Sequence, residues 1–502
     1  MNTFILASSV PVTVLPRALH HVAPISLQWE AWLPLVLLGA LLLAGSILSW
    51  MRVDLRVVQA GLCAGLVLGA AIFGAGLHQA LGPGGAAIFY AGNFLLDDTL
   101  ALGGGLLVFL LGAGLVAVVP LEEAAAAPRM ILPAICTLLV AITVAAGTLL
   151  TILATLPVIY SLMFVAPLLP KGRTGAGTAA AERFRYSQLV FILLLLGLVL
   201  LSAASPAEVF PQHGTPPSAA TIYVLPAVLG MCLFIAASVA LLAGWMAVAH
   251  GHLRAGRAVS AMEPTLGLVV AGITALLLLS PLIAARPELA IILLATGMLL
   301  LLSGVTIAVL QQRVGAALPA LAIAQYGLIL LAIACSPAGT AAADAAVALA
   351  CEGGVALLVL AVASEAGDRA GLAGPEGAVR LGMLVAGFSL AGIPVAFGFL
   401  ARIGLAQTLV ASGTGWALVP LFGAMAVIGF WFLVRTGQRY WNPVQAQTGR
   451  MPGWRSPVGI VVLLGCLALV VPFFSAPSLS GVLSSMASVS AHPVGSSQKA
   501  SR

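Results

Sequence analysis

Charged side chains are scarce in this sequence. Only 7% of its 502 residues are Asp, Glu, Lys or Arg, whereas 61% are hydrophobic. This shortage of charge, with a mean hydropathy of +1.15, excludes an ordinary soluble domain. The apolar runs are continuous over about 20 residues and do not alternate, which argues against a transmembrane β-barrel. The sequence therefore predicts an all-α polytopic membrane protein.

The motifs of soluble enzymes are also missing. The sequence has no Gly-rich dinucleotide loop after a strand, no phosphate-binding loop and no zinc-type ligand spacing. No segment between the apolar runs exceeds roughly 30 residues, which leaves no room for a soluble catalytic domain. We therefore expect no active site, no metal site and no bound cofactor in this chain.

Cysteine and charge patterns exclude further classes. The six cysteines are scattered through apolar segments without metal-ligand spacing, so they are interpreted as small buried residues. Residues 1–16 form a mildly apolar stretch with no basic residue at its start, so a cleaved signal peptide is not expected. The formal net charge of +6 is interpreted as the basic bias of membrane-protein loops, not as a nucleic-acid-binding surface.

Apolar windows of membrane-spanning length predict about 14 transmembrane helices. They lie near 31–50, 58–80, 100–120, 130–148, 149–168, 187–204, 222–246, 264–284, 289–309, 316–335, 341–363, 380–411, 416–435 and 457–475. The fourth and fifth spans nearly touch, so the boundary between them is the least defined.

Basic residues divide unequally between the two sets of loops that this count defines. One set holds Arg52, Arg56, Arg129, Lys171, Arg173, Arg183, Arg185, Arg254, Arg257, Arg313, Arg369, Arg380, Arg435, Arg439, Arg450 and Arg455. The other set, with both termini, holds only Arg17, Arg286, Lys499 and Arg502. Since basic residues collect on the cytoplasmic side, both termini are predicted to lie on the non-cytoplasmic side of a bacterial-type inner (cytoplasmic) membrane.

The apolar segment 380–411 contains residues that a membrane helix rarely accommodates. Pro394 removes a backbone donor, and with Gly392 and Gly398 nearby it predicts a broken helix. Arg402 places a full charge in the same segment, at a cost of about 2.5–3.5 kcal/mol on insertion scales. A broken membrane helix with a buried cation predicts part of an ion path, or the remnant of one.

The stretch 389–402 resembles the pattern S-L-A-G-I-P-P-x-x-G-F-x-x-K found in the twelfth helix of the antiporter-like membrane subunits of respiratory complex I. The same family includes group 4 membrane hydrogenases and multisubunit cation/proton antiporters. Weaker similarities follow in the family's order at 95–98, 185–186, 245–250, 259–261 and 323–327. Together the similar positions extend over roughly residues 95–440.

The resemblance implies two inverted five-helix repeats, each with a broken helix that lines a half-channel. The implied units are an N-terminal three-helix segment (1–128), a first repeat (129–285), a second repeat broken at Pro394 (286–440), and a last transmembrane helix with a loose tail (441–502). Flavin, iron–sulfur clusters and quinone are expected, if at all, in partner subunits. The implied partners are other membrane subunits of a multisubunit complex and the lipid bilayer, without nucleic acid.

The first repeat departs from the family. Family members carry protons along a Glu on helix five, Lys residues on helices seven and eight, and a Lys or Glu on helix twelve. Here no carboxylate occurs between Glu123 and Glu182. The two lysine positions fall at Ala236 and at Leu268 or Val269, and the seventh span lacks the expected mid-span proline. The first repeat is therefore predicted to be degenerate.

The second repeat retains ionisable groups. Arg402 occupies the family's lysine position, where a guanidinium keeps the charge but scarcely releases a proton. Glu352, in the middle of the eleventh span, is interpreted either as the partner of Arg402 or a proton carrier, or as a solvated group facing a cavity. Gln325, at a family His position, is more typical of a helix–helix hydrogen bond than of a relay. Glu263 is interpreted as an interfacial charge near a helix start, with a proton-path role as the alternative.

Two histidines, His250 and His252, lie in a basic loop with Arg254 and Arg257. No further ligand is near enough in sequence to complete a metal site, so a role in orientation or lipid-headgroup contact is favoured.

The resemblance implies an antiporter-like membrane-arm subunit of a complex I-related NADH–quinone oxidoreductase or of a membrane hydrogenase, which contributes to proton translocation or to the structure of the membrane arm. Two alternatives remain open at this point. The chain is a subunit of a multisubunit cation/proton antiporter, or it is a degenerate scaffold that conducts no ions. In each case the chain itself is expected to be non-catalytic.

Overall fold

The computed structural model describes residues 39, 40, 45, 54–80, 90, 91, 94, 95, 99–119, 121, 126–146, 149–165, 176–204, 223–250, 257–335, 340–369, 377–394, 396–440 and 457–475. The first predicted span (31–50) lies almost wholly outside these residues, as do both termini.

Fourteen α-helices run through the described residues. They are α1 (Leu55–Ala80), α2 (Thr99–Ala117), α3 (Ala126–Val144), α4 (Leu149–Val165), α5 (Ala176–Ala204), α6 (Val224–His250), α7 (Arg257–Ala285), α8 (Ala290–Leu310), α9 (Val314–Ala334), α10 (Thr340–Arg369), α11 (Gly377–Ala391), α12 (Phe397–Ala411), α13 (Leu418–Tyr440) and α14 (Pro457–Ser475). Two short 3₁₀ turns precede α8 and α13, and a two-residue antiparallel ladder, β1 (Tyr90–Ala91) with β2 (Phe94–Leu95), precedes α2.

Length and composition make these helices membrane-spanning. Among the described residues, nine helices are long and apolar enough to cross a bilayer, and five apolar helical segments are shorter. Two of those five, α11 and α12, form the two halves of the twelfth predicted span. Each of the second to fourteenth predicted spans thus corresponds to one helix or, for the twelfth span, to two half-helices. The nearly fused fourth and fifth spans are two separate helices, α3 and α4. The chain is an all-α, multi-pass membrane protein.

The two predicted broken helices differ. The twelfth span is interrupted between α11 and α12, whereas α6, the counterpart in the first repeat, runs without a break from Val224 to His250. Helix α6 has neither a glycine in the left-handed conformation nor a proline in its middle, so its backbone hydrogen bonds continue without interruption. The expectation of a broken helix in each repeat is therefore wrong for the first repeat.

Helices α9 and α10 form the centre of the packing. Nearly every residue of α9 is buried, and α10 packs against α7, α9, α11, α12 and α14. Helices α8 and α9 approach closely because Gly304 and Gly327 present no side chains: a Cβ on Gly304 would lie 2.6 Å from the backbone oxygen of Ala320. Small residues commonly allow such contacts between membrane helices. This packing places the inner face of α9 against α10.

A buried ion pair at the broken helix

The break in the twelfth span begins with a glycine. Gly392 follows the last residue of α11 with a φ of +66°, in the left-handed region that favours glycine. The N–H of Gly392 bonds the oxygen of Ser389, and the N–H of Ile393 bonds the oxygen of Phe388, which is the hydrogen-bond pattern of a Schellman C-cap. Gly392 thus ends α11 two residues before Pro394. The structure shows a break in the predicted stretch, with the helix ending at Gly392 and Pro394 lying beyond that end.

The two half-helices overlap side by side at the break. Gly398, in the first turn of α12, lies against the last turn of α11, and a Cβ there would collide with the backbone oxygen of Ser389. The N–H of Gly398 donates to the Ser389 hydroxyl at 3.2 Å, so Ser389 satisfies one of the free donors at the start of α12. Ala396, the residue that precedes α12, provides no such cap.

Arg402 fills the break from α12 and satisfies backbone carbonyls. Its Nη1 donates to the oxygen of Ser389 at 3.1 Å and to that of Gly398 at 2.9 Å. Its Nη2 donates to the oxygen of Leu390 at 2.7 Å. The oxygen of Leu390 lies in the last turn of α11, and the residue four positions later is Pro394, which has no N–H to offer it. The oxygen of Ser389 already accepts from the N–H of Gly392 and takes the guanidinium as a second donor. The cation also lies at the negative end of the α11 dipole.

Two side chains complete the surroundings of the guanidinium. Arg402 Nη2 donates to Gln325 Oε1 at 3.0 Å, and Nη1 contacts Glu352 Oε2 at 3.4 Å. The contact with the carboxylate is the longest of the five. Arg402 and Glu352 are each only 1% exposed. The guanidinium therefore forms a desolvated ion pair, yet most of its hydrogen bonds are made to other groups.

The Glu352 carboxylate, on α10, has neutral donors as well. Ser389 Oγ donates to Oε1 at 2.8 Å, and Gln325 Nε2 donates to Oε2 at 2.6 Å. Gln325 also donates to the oxygen of Leu349, one turn earlier on α10, at 2.9 Å. The amide of Gln325 thus bridges the two charged groups from α9, donating to the acid and accepting from the base.

Apolar side chains of α7 pack against α10 next to the site. Leu268 of α7 packs against Gly353, and Val269 packs against Gly354: a Cβ on Gly353 would lie 2.8 Å from Leu268 Cδ2. These are the two positions that the resemblance assigns to a family lysine. In this chain both positions carry hydrocarbon side chains, so neither brings a charge to the face of α10 that contains Gly353 and Gly354.

The structure brings together Arg402, Glu352 and Gln325 of the candidates that the sequence suggested. Gln325 makes the predicted helix–helix hydrogen bonds and is also part of the site. Glu263 lies in α7, but its side chain is outside the described residues, as are the side chain of His250 and all of His252. Sequence reasoning missed Ser389 as a site residue, although it opens the motif that identified the stretch.

Ala236, the assigned lysine position on the seventh span, is exposed on α6. The interior-facing polar residue of that helix is Ser238, whose side chain is fully buried. The buried polar group that the described part of α6 offers is thus a neutral hydroxyl, 3.2 Å from the hydroxyl of Tyr160 on α4.

The chemistry available at this site is limited to one acid, one fixed cation and neutral hydrogen-bonding groups. The described residues contain no group of three or more His, Cys, Asp or Glu side chains that could hold a metal ion. The carbonyl oxygens of Ser389 and Leu390, at the end of α11, already accept hydrogen bonds from Arg402. Glu352 is the one carboxylic acid among the side chains of this cluster.

Comparison with solved structures shows that the fold is shared with chains of respiratory complex I, of a membrane-bound sulfane sulfur reductase and of an Mrp complex. A chain of respiratory complex I from Thermus thermophilus superposes with a TM-score of 0.66 at 20% identity, covering 88% of this chain and 97% of that one. A chain of the membrane-bound sulfane sulfur reductase, an archaeal respiratory membrane complex, gives 0.69 at 16%, with 88% and 94% covered. A chain of the Mrp complex from a Dietzia species gives 0.67 at 18%, with 91% and 95% covered.

Neither a protein-family model nor the sequence of a curated protein matches the chain. The shared fold of the solved structures confirms, at the level of the fold, the resemblance to antiporter-like membrane subunits that the stretch 389–402 first suggested.

Proposed function

We propose that this chain is an antiporter-like membrane-arm subunit of a multisubunit complex related to complex I or to membrane hydrogenases, in which Glu352 exchanges protons beside a fixed Arg402 cation. The shared fold supports the membership, because each similar chain belongs to a multisubunit membrane complex. The redox groups of such an assembly would lie in partner subunits. The basic loops favour a bacterial-type inner membrane with both termini on its non-cytoplasmic side.

The observation that carries the proposal is the asymmetry of the ion pair. Arg402 has four acceptors other than Glu352: three backbone oxygens and the Gln325 amide oxygen. Protonation of Glu352 therefore removes only the longest of the guanidinium's contacts and leaves the cation solvated by protein dipoles. An arginine side chain scarcely deprotonates. The acid can change its charge while the base keeps both its charge and its position.

The alternative of direct metal-cation transport finds less support at this site. Sodium and similar hard cations bind to several oxygen ligands. The carbonyl oxygens that a broken helix exposes serve this purpose in many transporters. Here the guanidinium of Arg402 already donates hydrogen bonds to the carbonyl oxygens of Ser389, Leu390 and Gly398. A permanent cation therefore uses the oxygens that a metal ion would need.

Proton flux tests the proposal. In liposomes that contain the intact assembly, Glu352→Gln is expected to reduce proton translocation to background, because glutamine keeps the shape and cannot exchange a proton. Asp344→Asn is the matched control, since Asp344 lies on the same helix, about 12 Å away at 1.5 Å per residue. We expect its flux to equal that of the wild type. Wild-type flux in an assembled Glu352→Gln variant would identify the chain as a scaffold.

A further inference from the structure

The two carboxyl oxygens of Glu352 have different neighbours. Oε2 contacts Gln325 Nε2 at 2.6 Å and Arg402 Nη1 at 3.4 Å, whereas Oε1 contacts Ser389 Oγ at 2.8 Å. All three neighbours donate to the carboxylate, so the charged form is satisfied at both oxygens. A proton turns the oxygen that carries it from an acceptor into a donor. The two oxygens therefore differ in whether a neighbour can accept that proton's hydrogen bond.

The described neighbours of Oε2 cannot accept a hydrogen bond from it. An arginine side chain has no acceptor. The amide of Gln325 has one, but two further bonds fix its orientation: Nε2 also donates to the oxygen of Leu349 at 2.9 Å, and Oε1 accepts from Arg402 Nη2 at 3.0 Å. A rotated amide would turn its nitrogen toward the guanidinium and lose both bonds. Oε2 of Glu352 therefore suits the carbonyl oxygen of the protonated acid, not its hydroxyl.

The hydroxyl of Ser389, beside Oε1, can reverse its hydrogen bond. A serine hydroxyl has one donor and two lone pairs. One lone pair accepts the N–H of Gly398 at 3.2 Å while the proton is donated to Glu352, which leaves the second lone pair for a proton on Oε1. The serine's own proton then needs a new acceptor. A serine in a helix commonly donates to the carbonyl oxygen four residues earlier, here that of Val385.

We propose that Glu352 carries its exchangeable proton on Oε1, and that the Ser389 hydroxyl reverses to accept the hydrogen bond of that proton. The inference rests on the proposed function, because it assigns the proton exchange to one atom. The new O–H bond forms on Oε1, Ser389 keeps its own proton, and Oε2 remains an acceptor for Gln325. The N–H of Gly398 keeps its acceptor in both states. The acid thus changes its charge while the cap at the start of α12 stays in place.

Infrared difference spectroscopy of the intact assembly on acidification tests the assignment with Ser389→Ala. Alanine removes the acceptor, so the O–H of protonated Glu352 loses its hydrogen bond, and we expect the C=O band of the acid at a higher wavenumber than in the wild type. Ser364→Ala is the matched control on the helix of Glu352. Ser364 is also buried, but it donates to the oxygen of Ala361 at 3.1 Å. Its removal should leave the band in the wild-type position.

The reversal is tested with Ser389→Cys, because a thiol is a weak donor and acceptor with an S–H band of its own. We expect this band to shift on acidification, as the thiol stops donating to Glu352. Ser364→Cys, and Ser389→Cys combined with Glu352→Gln, should show no shift. Subtraction of the wild-type difference spectrum removes the bands of the six native cysteines. Since cysteine resembles serine in shape, this variant decides the question even if Ser389→Ala fails to assemble.

The possible failures of the two proposals are distinct. An unshifted Glu352 band in Ser389→Ala, or a constant thiol band in Ser389→Cys, would overturn the assignment to Oε1 and Ser389. The proposed function would stand in that case, because Glu352 would still exchange a proton. A protonated carboxyl band that is identical in Glu352→Gln and the wild type would reject the proposed function, and the assignment with it.

Discussion

Arg402→Ala is expected to lower the free energy of unfolding by about 3–5 kcal/mol, because removal of one partner leaves the other charge buried and unpaired. Glu352 would remain 1% exposed without its cation, and the carbonyls of Ser389 and Leu390 would lose their guanidinium donors. A drop of this size threatens assembly as well as stability. The measurement is thermal unfolding of the purified protein in detergent, with the folded yield recorded in parallel.

A double variant separates the charge effect from the loss of shape. Glu352→Gln with Arg402→Met removes both charges at similar volume, and replacing a buried pair by neutral groups often costs little. We expect it to recover much of the stability lost in Arg402→Ala. Recovery should be incomplete, because methionine donates no hydrogen bond to the break. Equal stability of Arg402→Ala and the wild type would contradict the role given to the guanidinium.

Gly398→Ala is expected to have the second largest effect on stability. A Cβ at this position meets the backbone oxygen of Ser389, and Arg402 Nη1 lies 2.8 Å from it. Backbone cannot rotate away as a side chain can, so the two half-helices must separate. Overpacking typically costs about 1–3 kcal/mol, and we expect a value at the upper end or above, since the shift also disturbs the ion pair.

Gly404→Ala provides the matched control on the same helix. The nearest atom to a Cβ at Gly404 is Ala345 Cβ, at an ordinary 3.9 Å. Alanine is favoured over glycine within a helix by about 0.5–1 kcal/mol, so the control should be as stable as the wild type or slightly more stable. The same unfolding measurement checks both variants. Similar melting temperatures for the two would show that α11 and α12 are not packed as described.

The sequence predicted the membrane class, the span count and the broken helix because these depend on local composition. Long apolar runs require helices in lipid. The sequence suggests the pairing of Glu352 with Arg402 but cannot establish it, because 50 residues separate the two and their contact depends on how α10 packs against α12. The motif at 389–402 predicted the break, yet the helix end is decided by Gly392 and its left-handed backbone.

Other parts of the interior gave no signal in the sequence. Ser389 bonds Glu352 and the N–H of Gly398, but one serine in a small-residue stretch has no distinctive pattern. Tyr160 and Ser238 come from helices far apart in the sequence, so only tertiary packing brings their hydroxyls to 3.2 Å. The search for charged residues predicts a degenerate first repeat, and for the same reason it overlooked buried neutral polar side chains such as that of Ser238.

The central claim, that Glu352 exchanges a proton while Arg402 stays charged, is tested most directly by infrared difference spectroscopy of the intact assembly over a pH titration. The account predicts that the wild-type difference spectrum contains a protonated carboxyl band on acidification that is retained in Asp344→Asn and lost in Glu352→Gln, while the bands of the other carboxyl groups remain in both variants. A wild-type spectrum without such a band, or an identical band in Glu352→Gln, would contradict it.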